Sequence, residues 1–523
     1  MNVLKKTLVY VSVAVLFVLF TALYVVTLRG VTGNPSTSQM IAQENTAAPF
    51  ELSPERGRYA HVVALAETGK YELSQDLANF VYPDVGWFQG RFYSFFAPGL
   101  AYMVAPFYML GAHVGMAQLF SFGAITLAAL ASLLLLVVIA VRVLKLPLWA
   151  GLTAALVFGF ATTSWSYAIT LYQHHVTLFL LLSGFLAAWK FANSNNKLTS
   201  FACAAWVWTA YGIAIFIDYP NALLLAPVIV YFFNAALSQV KDAKRWAISL
   251  RPAFVLSSIF FFLLIGLHGY HNQKEFGSWK RVSGGIVGYK TIRENGLEGL
   301  PTSELVEKLA SAQARKDNVV AFFSEQRIPN SFGTLLFSKD RGLAVYSPLV
   351  LLGLLGLGFM FKRFNPEVGF LAGTVAANIF LYSSWGDPWG GWAYGPRYLI
   401  PTMAVSALGL AYAFARAPKA WIFRLVAVPF FVYSAGIALL GAITSNAIPP
   451  RLEADALKAP YNFVANYKWL HEGLSGSYVY NSYLKAYVSL PHLFVTLLIG
   501  ITVLFVLLAV VAPLFKKQGG QHV

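Results

Sequence analysis

Residues 7–28 read TLVYVSVAVLFVLFTALYVVTL, a run with no charged side chain and no proline. Coiled at 1.5 Å per residue, such a run reaches about 30 Å, the depth of a bilayer's hydrocarbon core. Lys5 and Lys6 precede it, and the following ALYVVTLRGVTG offers no good small-residue cleavage site, so the run reads as a retained anchor. The rest of the chain has the same character. Over 523 residues it is 58% hydrophobic and 11% charged, with mean hydropathy +0.61, far from the balance of a soluble protein. This is the composition of a polytopic membrane protein. The formal charge of +16 is an excess of Lys and Arg, which in a membrane protein reports topology rather than a nucleic-acid partner. The single Cys203 lies in an apolar stretch and excludes a disulfide framework.

Apolar runs recur at 115–141, 148–168, 174–192, 199–217, 221–237, 252–269, 347–361, 367–384, 398–415, 420–443 and 490–514, which makes about twelve spans. Alternate short connections carry Arg142 and Lys145; Lys190 and Lys197; Lys241, Lys244, Arg245 and Arg251; Lys362 and Arg363; Arg416 and Lys419; then Lys516 and Lys517. By the positive-inside rule these connections and both termini face the cytoplasm. The opposite side receives residues 29–114, 270–346 and 444–489, with a shorter aromatic segment at 385–397, all belonging to one transmembrane domain over 1–523. Segments this long are more often functional than merely connecting. Residues 302–326, TSELVEKLASAQARKDNVVAFFSEQ, have the pattern of an exposed amphipathic helix. Residues 97–111, APGLAYMVAPFYMLG, are apolar but too short for a span and contain Pro98 and Pro106. They read as an interfacial or re-entrant helix.

Only 22 residues are acidic, so those near the outer boundary can be weighed one by one. Glu55 in SPERGRYA, Asp84 in VYPDVGWFQGRFYSFFAPG, Asp218 in FIDYPNA and Asp387 in WGDPWGGWAYGPRYLIP sit among aromatic, Gly and Pro residues. A carboxylate against aromatic walls can serve as a general base. The plainer alternative is a solvated loop acid or a cap. Asp218, just before Pro220, is the most intramembrane of them and marks function, or else an ion pair with a basic neighbour. Arg397 follows Gly395 and Pro396 at the mouth of a span. Its fork suits phosphate oxygens, and an ordinary snorkelling interfacial Arg is the competing account. His174 and His175 begin a span; neighbours on a helix diverge by about 100°, a poor chelating pair. Lys339 and Arg341 in FSKDRGLAVYSP could meet an anionic headgroup, or pair with Asp340 or Glu325. No P-loop, HExxH or Gly-x-Ser-x-Gly pattern occurs.

Together these features resemble the GT-C class of integral membrane glycosyltransferases, and most the branch of protein O-mannosyltransferases and bacterial transferases that add sugars to lipid A. In that branch an acid just past the first span, followed by an Arg-Tyr-Ala-like helix, is the catalytic base. PERGRYA matches it with Glu55 in the acid's place. GRFYSFFAPGLAYMVAPFYMLG resembles the next segment, a Gly-x-Tyr-Tyr-Ser element running into Pro-Gly and an interfacial helix. Many relatives have Lys before the Ala-Pro-Gly where this chain has Phe96. The motif FGS at Phe276, SKDRGLAVYSP and WGGWAYGPRYLIP resemble further segments of bacterial members.

The resemblance implies an all-α polytopic membrane protein of about 12 transmembrane helices, with extracytoplasmic loops carrying short juxtamembrane helices. It implies residence in a bacterial-type plasma membrane and an extracytoplasmic active site. The donor would be a polyprenyl-phosphate-linked sugar and the acceptor a lipid, polysaccharide or protein hydroxyl, with membrane lipid around them. Glu55 would be the base. Arg58, Arg397, His174, Lys339 and Arg341 are the candidates for the donor phosphate. Asp84, Tyr93, Tyr59, Asp218 and Asp387 are the candidates for positioning sugar or acceptor. No fixed cofactor is implied, since relatives differ on a divalent metal. A transporter or flippase is the rival from another class, although the chain lacks the matched halves common there. A polyprenyl-diphosphate-glycan ligase is the rival enzyme.

Overall fold

The structure is a computed structural model that describes residues 3–31, 33–34, 53–237, 250–290 and 323–514. Most of the amphipathic segment 302–326, and the cations Lys241, Lys244, Arg245, Lys516 and Lys517, lie outside the described residues, as do the side chains of Lys5 and Lys6. The chain is an integral membrane protein built almost wholly of helices. Among the described residues, seven helices are long and apolar enough to cross a bilayer: Ala117–Val143, His174–Ala192, Lys197–Ile217, Pro252–Phe276, Arg397–Arg416, Ala420–Ile443 and Leu490–Leu514. Val11–Thr27, Leu148–Phe160 and Ala226–Leu237 are shorter apolar helices.

In chain order the main elements begin with α1 (Val3–Thr27), α2 (Ser53–Thr68) and α3 (Gln75–Val81). The hairpin of β1 (Val85–Phe88) and β2 (Arg91–Ser94) follows, and then α4 (Gly99–His113), α5 (Ala117–Val138) and α6 (Leu148–Phe160). Next are α7 (His174–Ala192), α8 (Lys197–Ile217), α9 (Ala226–Leu237), α10 (Ile259–Phe276) and β3 (Val287–Gly288). Last come α11 (Leu349–Met360), α12 (Pro366–Ser383), α13 (Ile400–Arg416), α14 (Ala420–Ile443) and α15 (Leu490–Val506). Each apolar run of the sequence is helical, but three are interrupted. The run 148–168 breaks between Phe160 and Ser164, the run 221–237 breaks at Leu225, and the run from 252 breaks at Ser257 and then continues to Phe276. The first break leaves Thr162 and Ser164 to donate their hydroxyls to the carbonyl of Phe158 at 2.7 and 2.8 Å, satisfying a helix end within the core.

Residues 97–111 do form a helix short of a span, α4, packed on α2 and α5 with Tyr102, Met109 and Leu110 exposed. The Gly-x-Tyr-Tyr-Ser-like element is not helical. It is a hairpin whose two-residue turn, Gln89 and Gly90, has φ of +47° and +83°, the handedness that matches the twist of paired strands. β3 adds antiparallel to its other side, giving the strand order β2-β1-β3. This sheet braces the entry to α4.

The tightest helix pair is α11 on α13, and its closeness comes from missing side chains. A Cβ on Gly356 would collide with the carbonyl of Gly409, and one on Gly353 with Ser406. Small residues of this kind let membrane helices approach at their backbones. Gly356→Ala should therefore destabilise the protein by about 1–3 kcal/mol through overpacking. Gly358→Ala, two residues on and facing open space, should leave the melting midpoint in detergent unchanged; equal midpoints for the two variants would refute the close-packed interface.

Candidate active site

The first turn of α2 carries Glu55 and, three residues on, Arg58, so both lie on one face of the helix. Glu55 is fully buried, and its Oε1 accepts the backbone N–H of Leu171 at 3.1 Å. Leu171 belongs to the bent connection, residues 169–173, that leads into α7. The next residue, Tyr172, lies under the guanidinium of Arg397, 5.1 Å from Cζ to the ring centre. Tyr398 flanks the same guanidinium at 5.4 Å. Carboxylate and guanidinium thus meet across two adjacent residues of one connection.

Arg397 is 7% exposed, and its Nε and Nη1 have no hydrogen-bond partner. Buried donors left open in this way are costly, and an arriving anion would satisfy them. Arg58 is buried too, with Nη1 donating to the carbonyl of Pro54 at 2.9 Å and its plane 4.4 Å from the ring of Phe96. The Phe96 ring thus serves as the floor for the cation of α2. Burial lowers the Arg58 pKa from its ordinary value, with Asp218 opposing and Arg397 reinforcing the shift. Asp218 closes α8 and accepts from Gln173 Nε2 at 2.8 Å. Burial raises its pKa, and the positive charges of Arg58 and Arg397 hold it back.

His174 begins α7 with Nε2 buried and unpartnered, its ring parallel to that of Tyr172. His175 turns the other way and faces the carbonyl of Ser164 at 2.8 Å with Nε2. The divergence of helical neighbours thus sends one imidazole to the site and the other to the core. Among the described residues no group of three or more His, Cys, Asp or Glu is placed to hold a metal ion.

The structure brings together Glu55, Arg58, His174, Asp218 and Arg397. Asp84 lies beside them, its Oδ2 accepting from Ser53 Oγ at 2.6 Å at the start of α2. The remaining candidates stand elsewhere. Tyr59 is buried edge-on to Tyr108 and Phe122. Tyr93 is buried with its hydroxyl 3.3 Å from Glu275 Oε2. Lys339 is exposed.

Arg341 and Asp387 work on one loop from two sides. Arg341 is fully buried and donates to the carbonyls of Trp389, Asp340, Gly391 and Ile448 at 2.8–3.1 Å. Asp387 accepts the N–H groups of Trp389, Gly390 and Gly391 at 2.6–3.2 Å. The loop they hold contains Gly390, whose φ is +73° and where a Cβ would stand 3.0 Å from Arg397 Nε. Only glycine takes that backbone turn without strain and leaves room for the guanidinium. Arg341→Met should cost about 3 kcal/mol, since it strands buried carbonyls; a melting midpoint equal to wild type would show that these bonds are not needed.

Sequence reasoning missed Tyr172, Tyr398 and Gln173. The only signal was adjacency, Tyr172 and Gln173 preceding His174 and Tyr398 following Arg397. His61 was also missed. Buried and stacked on Tyr71 at 3.9 Å, it accepts the Ser94 N–H on Nε2 and donates from Nδ1 to the carbonyl of Tyr71. Burial pushes its pKa down to about 3, so it ties α2 to the hairpin as a neutral ring.

No family model matches the chain, and no curated protein matches it. Solved structures resemble it loosely. ArnT of Cupriavidus metallidurans in the apo state is 15% identical over 96% of this chain and 72% of its own, with a TM-score of 0.49. The same protein bound to undecaprenyl phosphate is 15% identical over 95% and 76%, with a TM-score of 0.46. The apo oligosaccharyltransferase of Archaeoglobus fulgidus is 14% identical over 91% of this chain and 60% of its own, with a TM-score of 0.42. Superpositions this loose carry no argument about function.

Proposed function

We propose that this chain is a membrane glycosyltransferase of GT-C type that moves a sugar from a polyprenyl-phosphate donor to an acceptor hydroxyl on the extracytoplasmic side. The observation that carries the reading is the pairing of a buried carboxylate, Glu55, with two buried guanidiniums, Arg58 and Arg397, the latter with two open donors. The motif order around PERGRYA and GPRYLIP supports it from the sequence side.

In the mechanism, Glu55 accepts the proton of the acceptor hydroxyl as its oxygen attacks the anomeric carbon. The carbon–oxygen bond to phosphate breaks, its electron pair leaves with the polyprenyl phosphate, and configuration inverts. Arg397 and Arg58 stabilise the charge that builds on the leaving phosphate, a stabilisation worth most in a dry site with donors already in place. His174 Nε2 supplies a further polar atom there. Asp218, which interacts with both cations, offsets part of their mutual repulsion. Asp84, joined to Ser53 at the head of α2, sits where it can orient the sugar or acceptor. The segments 29–114, 270–346 and 444–489 would then face the side opposite the cytoplasm.

The test is transfer from a panel of radiolabelled polyprenyl-phosphate sugars in membranes containing the wild type or Glu55→Gln. A donor consumed by wild type alone carries the proposal. Sugar that crosses the bilayer without becoming attached to an acceptor would point to a transporter.

A further inference from the structure

The last turns of α10 place His268, His271, Asn272 and Glu275 on one face, each at most 8% exposed, while Phe262, Leu263, Leu267 and Tyr270 face outward. Such a polar stripe on a membrane helix marks either an internal network or a ligand. The network here is incomplete. His271 Nδ1 lies 3.3 Å from the hydroxyl of Tyr102, and Glu275 accepts from Tyr93 at 3.3 Å. His268 Nε2, His271 Nε2 and Asn272 Oδ1 are buried and have no hydrogen-bond partner.

The surroundings are flat aromatic faces. The Tyr219 ring runs parallel to His268, within 5°, and Tyr71 runs parallel to Tyr102, within 6°. Among the described residues the cations near this stripe gather at its Glu275 end: Lys274, 66% exposed, Arg91, which interacts with Tyr93 and Glu275, and Arg281, which donates to the carbonyl of Phe276 at 3.2 Å. The open nitrogens of His268 and His271 have no charged partner, whereas a ring bearing hydroxyl groups would find aromatic walls and open polar atoms together. The cluster also adjoins the active site. Tyr219 follows Asp218, and Tyr71 donates at 3.4 Å to the carbonyl of Phe96, whose ring carries Arg58.

We propose that this face of α10, with Tyr219, Tyr102 and Tyr71, is a subsite for an uncharged sugar ring, carried by either the donor or the acceptor. The proposal rests on the glycosyltransferase reading for its place beside the phosphate site, and its open imidazoles stand independently of that reading.

The test uses the full chain in lipid nanodiscs and the double variant His268→Phe/His271→Phe, which keeps the rings and removes the nitrogens. Native mass spectrometry compares undecaprenyl phosphate with undecaprenyl phosphate carrying a hexose, and melting shifts are read with methyl pyranosides. If the ring comes with the donor, wild type prefers the sugar-bearing lipid by about tenfold, the strength of one or two hydrogen bonds. The double variant loses that preference and binds bare undecaprenyl phosphate as before. If the ring comes with the acceptor, the lipid preference stays and stabilisation by methyl pyranosides disappears. A folded variant that matches wild type in both arms overturns the subsite. Should the double variant unfold, His268→Phe alone, which keeps the His271–Tyr102 contact, is read in the same way. Wild type that binds no undecaprenyl phosphate at all would sink the donor reading, and the pyranoside arm would still decide the subsite.

Discussion

Glu55→Gln should lower sugar transfer by about 10²–10⁴-fold while the protein remains folded, the range expected when a positioned general base is removed. The substitution is nearly isosteric. Glu55 Oε1 accepts the Leu171 N–H in the buried first turn of α2, and a glutamine carbonyl can accept the same bond. The proposed phosphate ligands are untouched, since Arg58 and Arg397 keep their own supports, the Pro54 carbonyl and the faces of Phe96, Tyr172 and Tyr398. What is lost is the capacity to take a proton. Initial rates from labelled donor, alongside undecaprenyl phosphate binding, separate these effects. Turnover within tenfold of wild type would remove Glu55 as the base. Glu55→Ala is the harsher companion: it also leaves the Leu171 N–H without its acceptor, so a drop in melting midpoint is expected in addition.

Arg397→Ala should weaken binding of undecaprenyl phosphate by about 10–100-fold, the value of one or two charge-assisted hydrogen bonds. The size of the effect follows from burial. A solvated Arg would already be bonded to water and would gain little from a phosphate, but Nε and Nη1 of Arg397 are enclosed and open. Arg397→Lys should recover only part of the loss, because an ammonium brings charge without the planar fork. Unchanged affinity in Arg397→Ala would show that the donor phosphate sits elsewhere. A loss that appears in Arg58→Ala and not in Arg397→Ala would move it toward the Phe96 floor.

The membrane character of the chain, the positions of its helices and the prominence of PERGRYA and GPRYLIP were legible in the sequence. Each depends on local chemistry. An apolar run long enough to span hydrocarbon must satisfy its backbone internally and so becomes a helix wherever it packs. A lone acid or Arg in an apolar chain stands out by composition alone. The short helix 99–113 was legible for the same reason, from its length and its two prolines.

The sequence by itself thus determined what the segments are and which ionisable residues deserve testing. Only the tertiary structure decided which of them meet. Glu55 and Arg58, His174, Asp218 and Arg397 come from four separate stretches, and no periodicity in any one of them encodes that their helix ends converge. The roles of Arg341 and Asp387 were equally hidden. Both looked like ligand-binding charges, yet both bond backbone groups of residues 389–391, and Arg341 bonds that of Ile448 as well, all brought to them by chain folding. The third strand, β3, lies nearly two hundred residues from the hairpin at 85–94, and only chain folding brings it alongside β1. The physical reason is common to all three. Helix formation is settled by hydrogen bonds within a segment, whereas a site is settled by which side chains are desolvated together, and that depends on the packing of every segment at once.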